Sequence, residues 1–359
     1  MNWEPRAAQL AATVTHPASR WRPAITRVPR HLFTPRWWTW AAPGPGLWHD
    51  TWKLRDGPAS PPAWLDAAYA DRSLVIQVGP LHADHASPDD RPTGLPTSSA
   101  TLPGLLVQMY RHALITDSTD ILDIGTGSGY GTALLGNRLG DNHVTSIDVD
   151  EYLTKTAADR LDSTGQHPHV TAADATGPLP GTYDRIVSTV AVRPLPASWL
   201  IATGRTEWDR AGFMHTRTGP VYPPAALEQF TAIRDATGDQ ITTGQFPVIN
   251  VSEAWELYSM LGITAPGIQH HYEEAKDGTR TAWMIHPDGS WARATATADQ
   301  APVIHQAGPR HLWTLLDENR RDWLRDGSLP AYGARATITP DGTITLKRGR
   351  WQARIPADS

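Results

Sequence analysis

A glycine-rich turn, preceded by an acidic residue, is the stretch of the sequence best suited to chemistry. Residues 121–130 read ILDIGTGSGY, so an apolar strand end containing Asp123 runs into alternating glycines and then a helix start. Glycine at 125, 127 and 129 permits positive φ and lets a ligand approach the backbone, while the helix start supplies free N–H groups. The stretch predicts a nucleotide-type cofactor site at the carboxyl end of a parallel strand.

Two further acids indicate which cofactor this is. The glycine spacing is G-x-G-x-G, whereas a pyrophosphate site uses G-x-G-x-x-G. Asp148 ends the strand VTSID, where a carboxylate can accept both ribose hydroxyls, and Asp174 ends VTAAD, where it can accept from an adenine amino group. Carboxylates at three successive strand ends attract a cation. We therefore predict S-adenosylmethionine; the alternatives are an ordinary strand-to-helix turn and, for Asp148, a solvated strand end.

Each part of the cofactor has predicted partners. Asp123 and the loop backbone would hold the methionine part, Asp148 the ribose, and the turn at Asp174 the adenine. The full set of predicted cofactor-binding residues is Asp123, Gly125, Thr126, Gly127, Ser128, Gly129, Asp148, Asp174 and Ala175.

The elements around these residues predict an α/β fold with a doubly wound, mostly parallel sheet. Between residues 120 and 200 strand patterns alternate with helical ones. Residues 1–35 predict an N-terminal helical segment, and residues 36–63, rich in Trp, Pro and Gly, predict an irregular surface segment. The predicted strands of the sheet are 120–124, 144–147, 169–172 and 183–189.

After residue 220 the pattern changes to that of an α+β region. Two Pro-Asp-Gly turns, 287–289 and 340–342, each separate β-prone runs and predict hairpins. A helix with one apolar face is predicted between them, at 311–325. The predicted organisation is an N-terminal helical and substrate-segment region (1–115), an S-adenosylmethionine-binding core (116–220) and a C-terminal α+β region for peptide recognition (221–359).

Composition limits the function further. The chain has 359 residues, a net charge of −5 and no cysteine, which predicts neither a nucleic-acid binder nor a disulfide framework. There is no apolar run long enough for a membrane span and no secretion pattern at the start, so we expect a cytoplasmic enzyme. His31 and the pair His270-His271 lack further ligands at fixed spacing, so no metal site is predicted.

Over residues 20–200 the chain resembles the protein L-isoaspartyl O-methyltransferases. Its motifs stand in the family's order, and they extend well beyond the glycine loop. They are VPRHLF at 28–33, AYADRSL at 68–74, a hydroxyl-rich substrate segment at 97–103, LDIGTGSGY at 122–130, VTSID at 144–148 and YDRIVST at 183–189.

The resemblance implies a Rossmann-like class I methyltransferase that uses S-adenosyl-L-methionine and releases S-adenosyl-L-homocysteine. It also implies that Thr101, Ser99 and Ser98 orient the acceptor carboxylate of a peptide. The alternative for these hydroxyls is a helix N-cap before Leu105. A carboxylic acid of pKa about 4 is ionised at neutral pH, so methyl transfer to it requires neither a metal nor a strong base.

The sequence departs from the family at three places. Thr101 and Leu102 stand where the family usually has Ser and Gln, and residues 201–206 (IATGRT) replace its KPGGRLV strand. The tail of about 130 residues, preceded by GFM at 212–214, is similar to an actinobacterial branch associated with ribosomally synthesised peptides of the lanthipeptide, graspetide and lasso types.

Three functional hypotheses follow. The first is methylation of an aspartate side chain in a constrained ribosomal peptide, leading to a succinimide (aspartimide) and, after hydrolysis, to isoaspartate. The second is repair of isoaspartyl or D-aspartyl sites in proteins. The third is a catalytically inactive module that binds cofactor and peptide. The predicted partner is a peptide, and binding to nucleic acid or to a membrane is not predicted. The sequence does not predict the oligomeric state.

Overall fold

A computed structural model describes residues 1–41, 51–192, 195–204, 224–297, 300–329 and 334–356. The chain forms two compact units, Met1–Thr206 and Glu207–Ser359. The GFM segment at 212–214 lies outside the described residues, as do residues 205 and 206 at the end of the IATGRT stretch. No described helix is both long enough and apolar enough to cross a membrane.

The first unit begins with the predicted N-terminal helical segment, and its strands and helices alternate between residues 120 and 200, as predicted. Its α-helices are α1 (Glu4–Val14), α2 (Arg22–Arg27), α3 (Pro61–Ala68), α4 (Pro103–His112), α5 (Tyr130–Leu139), α6 (Glu151–Ser163) and α7 (Ala197–Ala202). Its strands are β1 (Arg36–Ala41), β2 (Thr51–Asp56), β3 (Leu74–Val78), β4 (Leu81–His82), β5 (Pro96–Ala100), β6 (Ile121–Ile124), β7 (Val144–Asp148), β8 (His169–Ala172) and β9 (Arg185–Ser188). Short 3₁₀ turns lie at Arg30–Phe33, Ala83–His85 and Asp141–His143.

A four-stranded parallel sheet forms the centre of the predicted cofactor region. Its order is β8-β7-β6-β9, which confirms the predicted doubly wound fold. All four residues of β6 are buried, as an apolar central strand between helical layers requires. The chain winds in opposite directions from β6, to β7 on one side and β9 on the other. Ligands bind beyond the carboxyl ends of the strands at such a point.

An antiparallel sheet of the same unit corrects the prediction for residues 36–41 and 51–56, the residues between them lying outside the described part of the chain. We expected an irregular segment, but β1 and β2 form a ladder that continues through β3 to β4, with β5 paired to β3. Neighbouring strand residues point to opposite faces. Trp37 accordingly packs in the main hydrophobic core, and Trp38 packs in a second cluster with Val78 and Ala83.

The N-terminal region and the predicted cofactor-binding core share one hydrophobic core. It contains Leu10 of α1, Ile25 of α2, Tyr110 of α4, Ile121 of β6 and Leu134 of α5. The predicted regions 1–115 and 116–220 thus contribute to a single compact unit up to Thr206. The predicted substrate segment belongs to the same compact unit as the glycine loop.

The second unit is the predicted α+β region. Its elements are α8 (Pro224–Ala232), α9 (Trp255–Thr264), α10 (Leu312–Arg325), β10 (Gln240–Thr243), β11 (Gln269–Glu274), β12 (Arg280–Ile285), β13 (Trp291–Ala296), β14 (Val303–Ala307), β15 (Arg335–Ile338), β16 (Ile344–Arg348) and β17 (Trp351–Ile355). Both predicted hairpins are confirmed, as β12–β13 and β15–β16. They belong to two antiparallel sheets, of order β10-β14-β13-β12-β11 and β15-β16-β17.

Candidate active site

The glycine loop between β6 and α5 has the backbone conformation that its sequence predicts. All three glycines have positive φ, at 95° for Gly125, 50° for Gly127 and 86° for Gly129. A Cβ on Gly125 would lie 2.6 Å from a methyl carbon of Val190, and one on Gly129 would lie 3.0 Å from the Cβ of Ala157. These two glycines therefore let the loop pack closely on its own unit.

Gly127 instead faces the hydroxyl-rich segment. A Cβ at this position would lie 3.4 Å from the carbonyl oxygen of Ser99 and 3.5 Å from Oγ of Ser98. The structure thus brings the predicted cofactor loop and the predicted acceptor segment together. A methyl group at Gly127 would occupy part of the space between the loop and this segment. Glycine at this position therefore fits a cofactor held against the backbone.

Gly127→Ala is expected to weaken S-adenosylmethionine binding about tenfold, equivalent to about 1.4 kcal/mol, because the added methyl group occupies part of the space between the loop and Ser98 and Ser99. Alanine at positive φ also costs about 1 kcal/mol of folding stability. Gly165→Ala is the matched control, because Gly165 has φ of 73° with no heavy atom within 4 Å of an added Cβ. Calorimetric titration and thermal unfolding of both variants separate strain from lost binding; equal affinity in both would contradict the assignment.

Asp123 lies buried beneath the loop. Its Oδ2 accepts hydrogen bonds from Oγ1 of Thr132 at 2.7 Å and from Oγ of Ser146 at 3.0 Å. Burial outweighs these two bonds and raises the pKa of the Asp123 carboxyl to about 6. A buried carboxyl held this far from its usual pKa fits a site that receives a cation. Its role toward the methionine part of the cofactor stays a prediction.

Asp148 joins the end of β7 to the glycine loop. Its Oδ2 accepts from the backbone N–H of Gly127 at 3.0 Å, and its Oδ1 accepts from that of Asp150 at 3.2 Å. It is half-buried and bonded to the loop, and the alternative of a solvated strand end is not tested by these bonds. Each carboxylate oxygen can accept a further bond, and ribose binding here stays a prediction.

The predicted adenine turn is fixed by its own residues. Asp174 is exposed, and Oδ1 accepts from the backbone N–H and the hydroxyl of Thr176, both at 2.8 Å. These two bonds lower the pKa of the Asp174 carboxyl. The carbonyl oxygen of Ala175 accepts from Nε1 of Trp199 at 2.8 Å, which ties the turn to α7. Adenine contact by Asp174 and Ala175 stays a prediction.

Thr126 and Ser128 stabilise the loop through buried hydroxyls. Oγ1 of Thr126 is 2.7 Å from Oγ of Ser146, and Oγ of Ser128 accepts from the backbone N–H of Tyr130 at 3.3 Å. Both side chains are therefore already engaged inside the protein. Any contact that these two residues make with the cofactor would come from their backbone.

The hydroxyl-rich segment does not cap α4, so the N-cap alternative for Ser98, Ser99 and Thr101 is wrong. Instead, Oδ1 of Asp71 accepts from the backbone N–H of Gly104 at 2.7 Å, and Oγ of Ser73 accepts from that of Leu102 at 3.1 Å. Within the described ranges, the three predicted hydroxyls hydrogen-bond to no protein group. They remain available to an acceptor carboxylate, a role that stays a prediction.

Arg30 is a site residue that the sequence reasoning missed. Its side chain is fully buried, and burial lowers the pKa of its guanidinium to about 10, so it stays charged at neutral pH. It joins the turn after α3 to the end of β5, and the motif VPRHLF, with a cation between apolar residues, was the available signal. Its acceptors are the carbonyl oxygens of Ala68, Ala70, Arg72, Ala100 and Thr101, at 2.7–3.3 Å.

Thr189, just beyond β9, is a second missed residue. Its hydroxyl donates to the carbonyl oxygen of Gly125 at 3.1 Å and to that of Ile124 at 3.3 Å. The first glycine of the loop is thus fixed from the strand on the opposite side of β6 to Asp148. An alternating pattern of strands predicts β9 but gives no indication of this contact.

The histidines considered as metal ligands do not form a metal site in the described residues. Nδ1 of His31 hydrogen-bonds with the hydroxyl of Tyr69 at 2.8 Å, and burial lowers the pKa of His31 to about 4. Burial lowers the pKa of His270 to about 4 as well. Among the residues that the structure describes, no three His, Asp or Glu side chains are grouped so that they could hold a metal ion.

The part of the chain that contains the glycine loop is similar to known proteins. The sequence model of the family "Protein-L-isoaspartate(D-aspartate) O-methyltransferase (PCMT)" matches residues 62–203. A protein-L-isoaspartate O-methyltransferase of Ignicoccus hospitalis is 28% identical over 127 residues, which are 34% of this chain and 60% of that protein. One of Erwinia tasmaniensis is 34% identical over 98 residues, 26% of this chain and 46% of that protein. The chain spans less than two thirds of either relative.

A solved structure described as a protein-L-isoaspartate O-methyltransferase aligns with 99% of both chains at 13% identity and a TM-score of 0.42. The family match runs from α3 to just beyond α7 and includes the glycine loop and the acceptor segment. The sequence of residues 62–203 is therefore similar to that of the carboxyl O-methyltransferase family that the motifs indicated, and the activity of the whole protein is a proposal. The actinobacterial branch stays a prediction.

Proposed function

We propose that the protein transfers a methyl group from S-adenosylmethionine to a carboxylate of a peptide, and that an isoaspartyl carboxylate is its first candidate acceptor. One observation carries the proposal: Ser98 and Ser99 approach the glycine loop at Gly127, with hydroxyls that no described protein group uses. The protein-L-isoaspartate O-methyltransferases that resemble residues 62–203 support the isoaspartyl acceptor.

The chemistry requires little of the protein beyond positioning. When bound, S-adenosylmethionine supplies an electrophilic methyl group. The acceptor carboxylate, with a pKa of about 4, needs no base to become a nucleophile. The hydroxyls of Ser98, Ser99 and Thr101 would hold its second oxygen, and the packed loop would exclude water. Alignment of this kind supplies much of the rate enhancement.

Two features favour a second candidate acceptor, an aspartate in a constrained ribosomal peptide. Leu102 removes the amide that the family usually has in the acceptor segment, and the second unit, Glu207–Ser359, lies beyond the family match. The ester formed on such an aspartate can be attacked by the next backbone nitrogen. That step closes a succinimide and releases methanol, and later hydrolysis gives isoaspartate.

Three peptides of one sequence distinguish these candidates: a linear isoaspartyl peptide, its linear aspartyl counterpart, and the aspartyl peptide cyclised through side chains. The first candidate predicts a mass gain of about 14 on the isoaspartyl peptide alone, the mass of one methylene. The second predicts that gain, or a net loss of about 18 after ring closure, on the cyclised peptide alone. Methylation of none of the three, with S-adenosylmethionine bound, would contradict the proposed function.

Thr101→Val is expected to lower kcat/KM about 30-fold, because a hydrogen bond to a charged carboxylate contributes about 2 kcal/mol. The substitution keeps the shape of the side chain, so cofactor affinity and thermal stability should stay unchanged. Thr97→Val is the matched control, since the hydroxyl of Thr97 is bonded to the carbonyl oxygen of Gly79. Steady-state kinetics with both variants test this; a weaker cofactor affinity in Thr101→Val would contradict the acceptor role.

A further inference from the structure

The three-stranded sheet of the second unit has one apolar and one basic face. Neighbouring residues alternate between them, and Leu346, Trp351 and Ala353 are buried against Met260 and Ile263 of α9. The opposite side, which we call the basic face, presents three exposed cations and three polar residues. Its members are Arg335, Thr337, Thr345, Lys347, Gln352 and Arg354.

The strand register places two of these cations side by side. Arg335 lies directly opposite Lys347, and Gln352 follows in the same row. Thr345 lies between Thr337 and Arg354 in the adjoining row. Like charges directly opposite on an antiparallel pair destabilise the sheet. This face therefore carries an electrostatic cost that folding alone does not explain.

The charges of the basic face are not balanced within the sheet. Residues 334–356 include five basic residues and one acidic residue, in a chain whose net charge is −5. The acid, Asp341, is engaged by the hydroxyl of Thr343 at 2.9 Å in the turn between β15 and β16. None of the ion pairs formed by the described residues includes Arg335, Lys347 or Arg354.

We propose that the basic face binds an acidic segment of the peptide substrate, at a distance along the peptide from the carboxylate that is methylated. This inference rests on the proposed function. Charge complementarity favours an acidic partner. An extended peptide places alternate side chains about 6.6 Å apart, which matches the spacing of alternate residues along β16. Among the six residues of this face there is no aromatic side chain for base stacking and no large apolar one for insertion into lipid.

A fluorescein-labelled peptide of alternating Glu and Ser residues is the probe, with a Gln-for-Glu peptide of equal length for comparison. Fluorescence anisotropy should show binding of the acidic probe that weakens with salt. Arg335→Gln/Lys347→Gln should weaken it at least tenfold. The matched control is Lys276→Gln/Arg325→Gln, which removes the same two charge types from exposed positions off this face and should change affinity less than twofold.

Lys347→Glu separates docking from folding, because it places a carboxylate opposite Arg335. The thermal midpoint of unfolding should rise while probe binding is lost. If Lys347 served folding alone, Lys347→Glu would lower the thermal midpoint and probe binding together, or would lower neither. Equal probe affinity in wild type and Lys347→Glu would overturn the proposal. It would also be overturned if a single-stranded oligonucleotide or anionic vesicles bound more tightly than the acidic probe and the double variant abolished that binding.

Methyl-transfer kinetics distinguish this inference from the proposed function. With a substrate that carries the acidic segment, the double variant should raise KM and leave kcat unchanged. With a short substrate that lacks the segment, both constants should match wild type. If no peptide is methylated, the proposed function fails; if methylation proceeds with the same KM in every variant, only the docking proposal fails.

Discussion

Arg30→Met is expected to lower the free energy of unfolding by about 3 kcal/mol and to remove nearly all methyl transfer. Each buried carbonyl that loses its donor costs about 1–3 kcal/mol, partly offset because a buried charge is also removed. The guanidinium bonds the turn after α3 and the end of β5 at once, and its central carbon lies 5.3 Å from the centroid of the Tyr130 ring at the start of α5. Its loss loosens the acceptor segment next to the glycine loop.

Denaturant unfolding and steady-state kinetics at a temperature where the variant is folded test this expectation. Arg30→Lys keeps a charge but cannot bond both loops, so it should recover part of the stability and little of the kcat. Arg6→Met is the matched control, because Arg6 makes a largely exposed ion pair with Asp66 and should cost less than about 0.5 kcal/mol. Arg30→Met with wild-type kcat would show that Arg30 supports folding and does not position the acceptor.

The features that sequence reasoning predicted are those that neighbouring residues determine. The glycine loop, the four parallel strands and the Pro-Asp-Gly hairpins depend on local spacing and on preferences for strand and turn, and the structure confirms them. The proximity of Asp123 and Asp148 also follows from sequence, because both lie at the carboxyl edge of adjacent parallel strands.

The features that sequence reasoning missed depend on partners far along the chain. Gly104, at the start of α4, is bonded by Asp71, 33 residues away, and Arg30 reaches Thr101, 71 residues away. Local preference placed the cap on the preceding hydroxyls, Ser98, Ser99 and Thr101, which is the usual choice for an isolated helix. Similarly, Trp37 and Trp38 lie in a segment flanked by Pro and Gly, and only pairing with β2 and β3 makes that segment a strand.

The affinity for S-adenosylmethionine is expected to rise about tenfold per pH unit up to about pH 6 and to be constant above pH 7, because binding is linked to the ionisation of one carboxyl. Burial raises the pKa of Asp123 to about 6, so the carboxyl is neutral at pH 5 and attracts no cation. A cation bound nearby lowers that pKa and releases a proton. Calorimetric titration between pH 4.5 and pH 7 covers this range. The amino group of S-adenosylmethionine stays charged throughout it.

The same shift predicts that Asp123 lowers folding stability at neutral pH. Its folded pKa of about 6 lies above the ordinary value of 3.8, so the folded state holds the proton more tightly. Stability is therefore fully present below about pH 4 and is lost as the pH rises to 6, by about 3 kcal/mol at 1.36 kcal/mol per unit. Asp123→Asn should then be more stable than wild type at pH 7.5, because it removes the buried charge. The gain should be about 1–3 kcal/mol, since the loss of the charged bonds from Thr132 and Ser146 offsets part of it.

Asp123→Asn thus tests whether this carboxylate is kept for binding at the expense of stability. The variant should bind S-adenosylmethionine at least about tenfold more weakly at pH 7.5, a loss of about 1.4 kcal/mol, with no pH dependence between pH 5 and 7. Asp159→Asn, at an exposed acid on α6, should change neither property. A gain in stability without a loss of affinity would mean that Asp123 lies under the loop without acting on the cofactor. A loss of both would mean that the hydrogen bonds from Thr132 and Ser146 outweigh the cost of burying the charge.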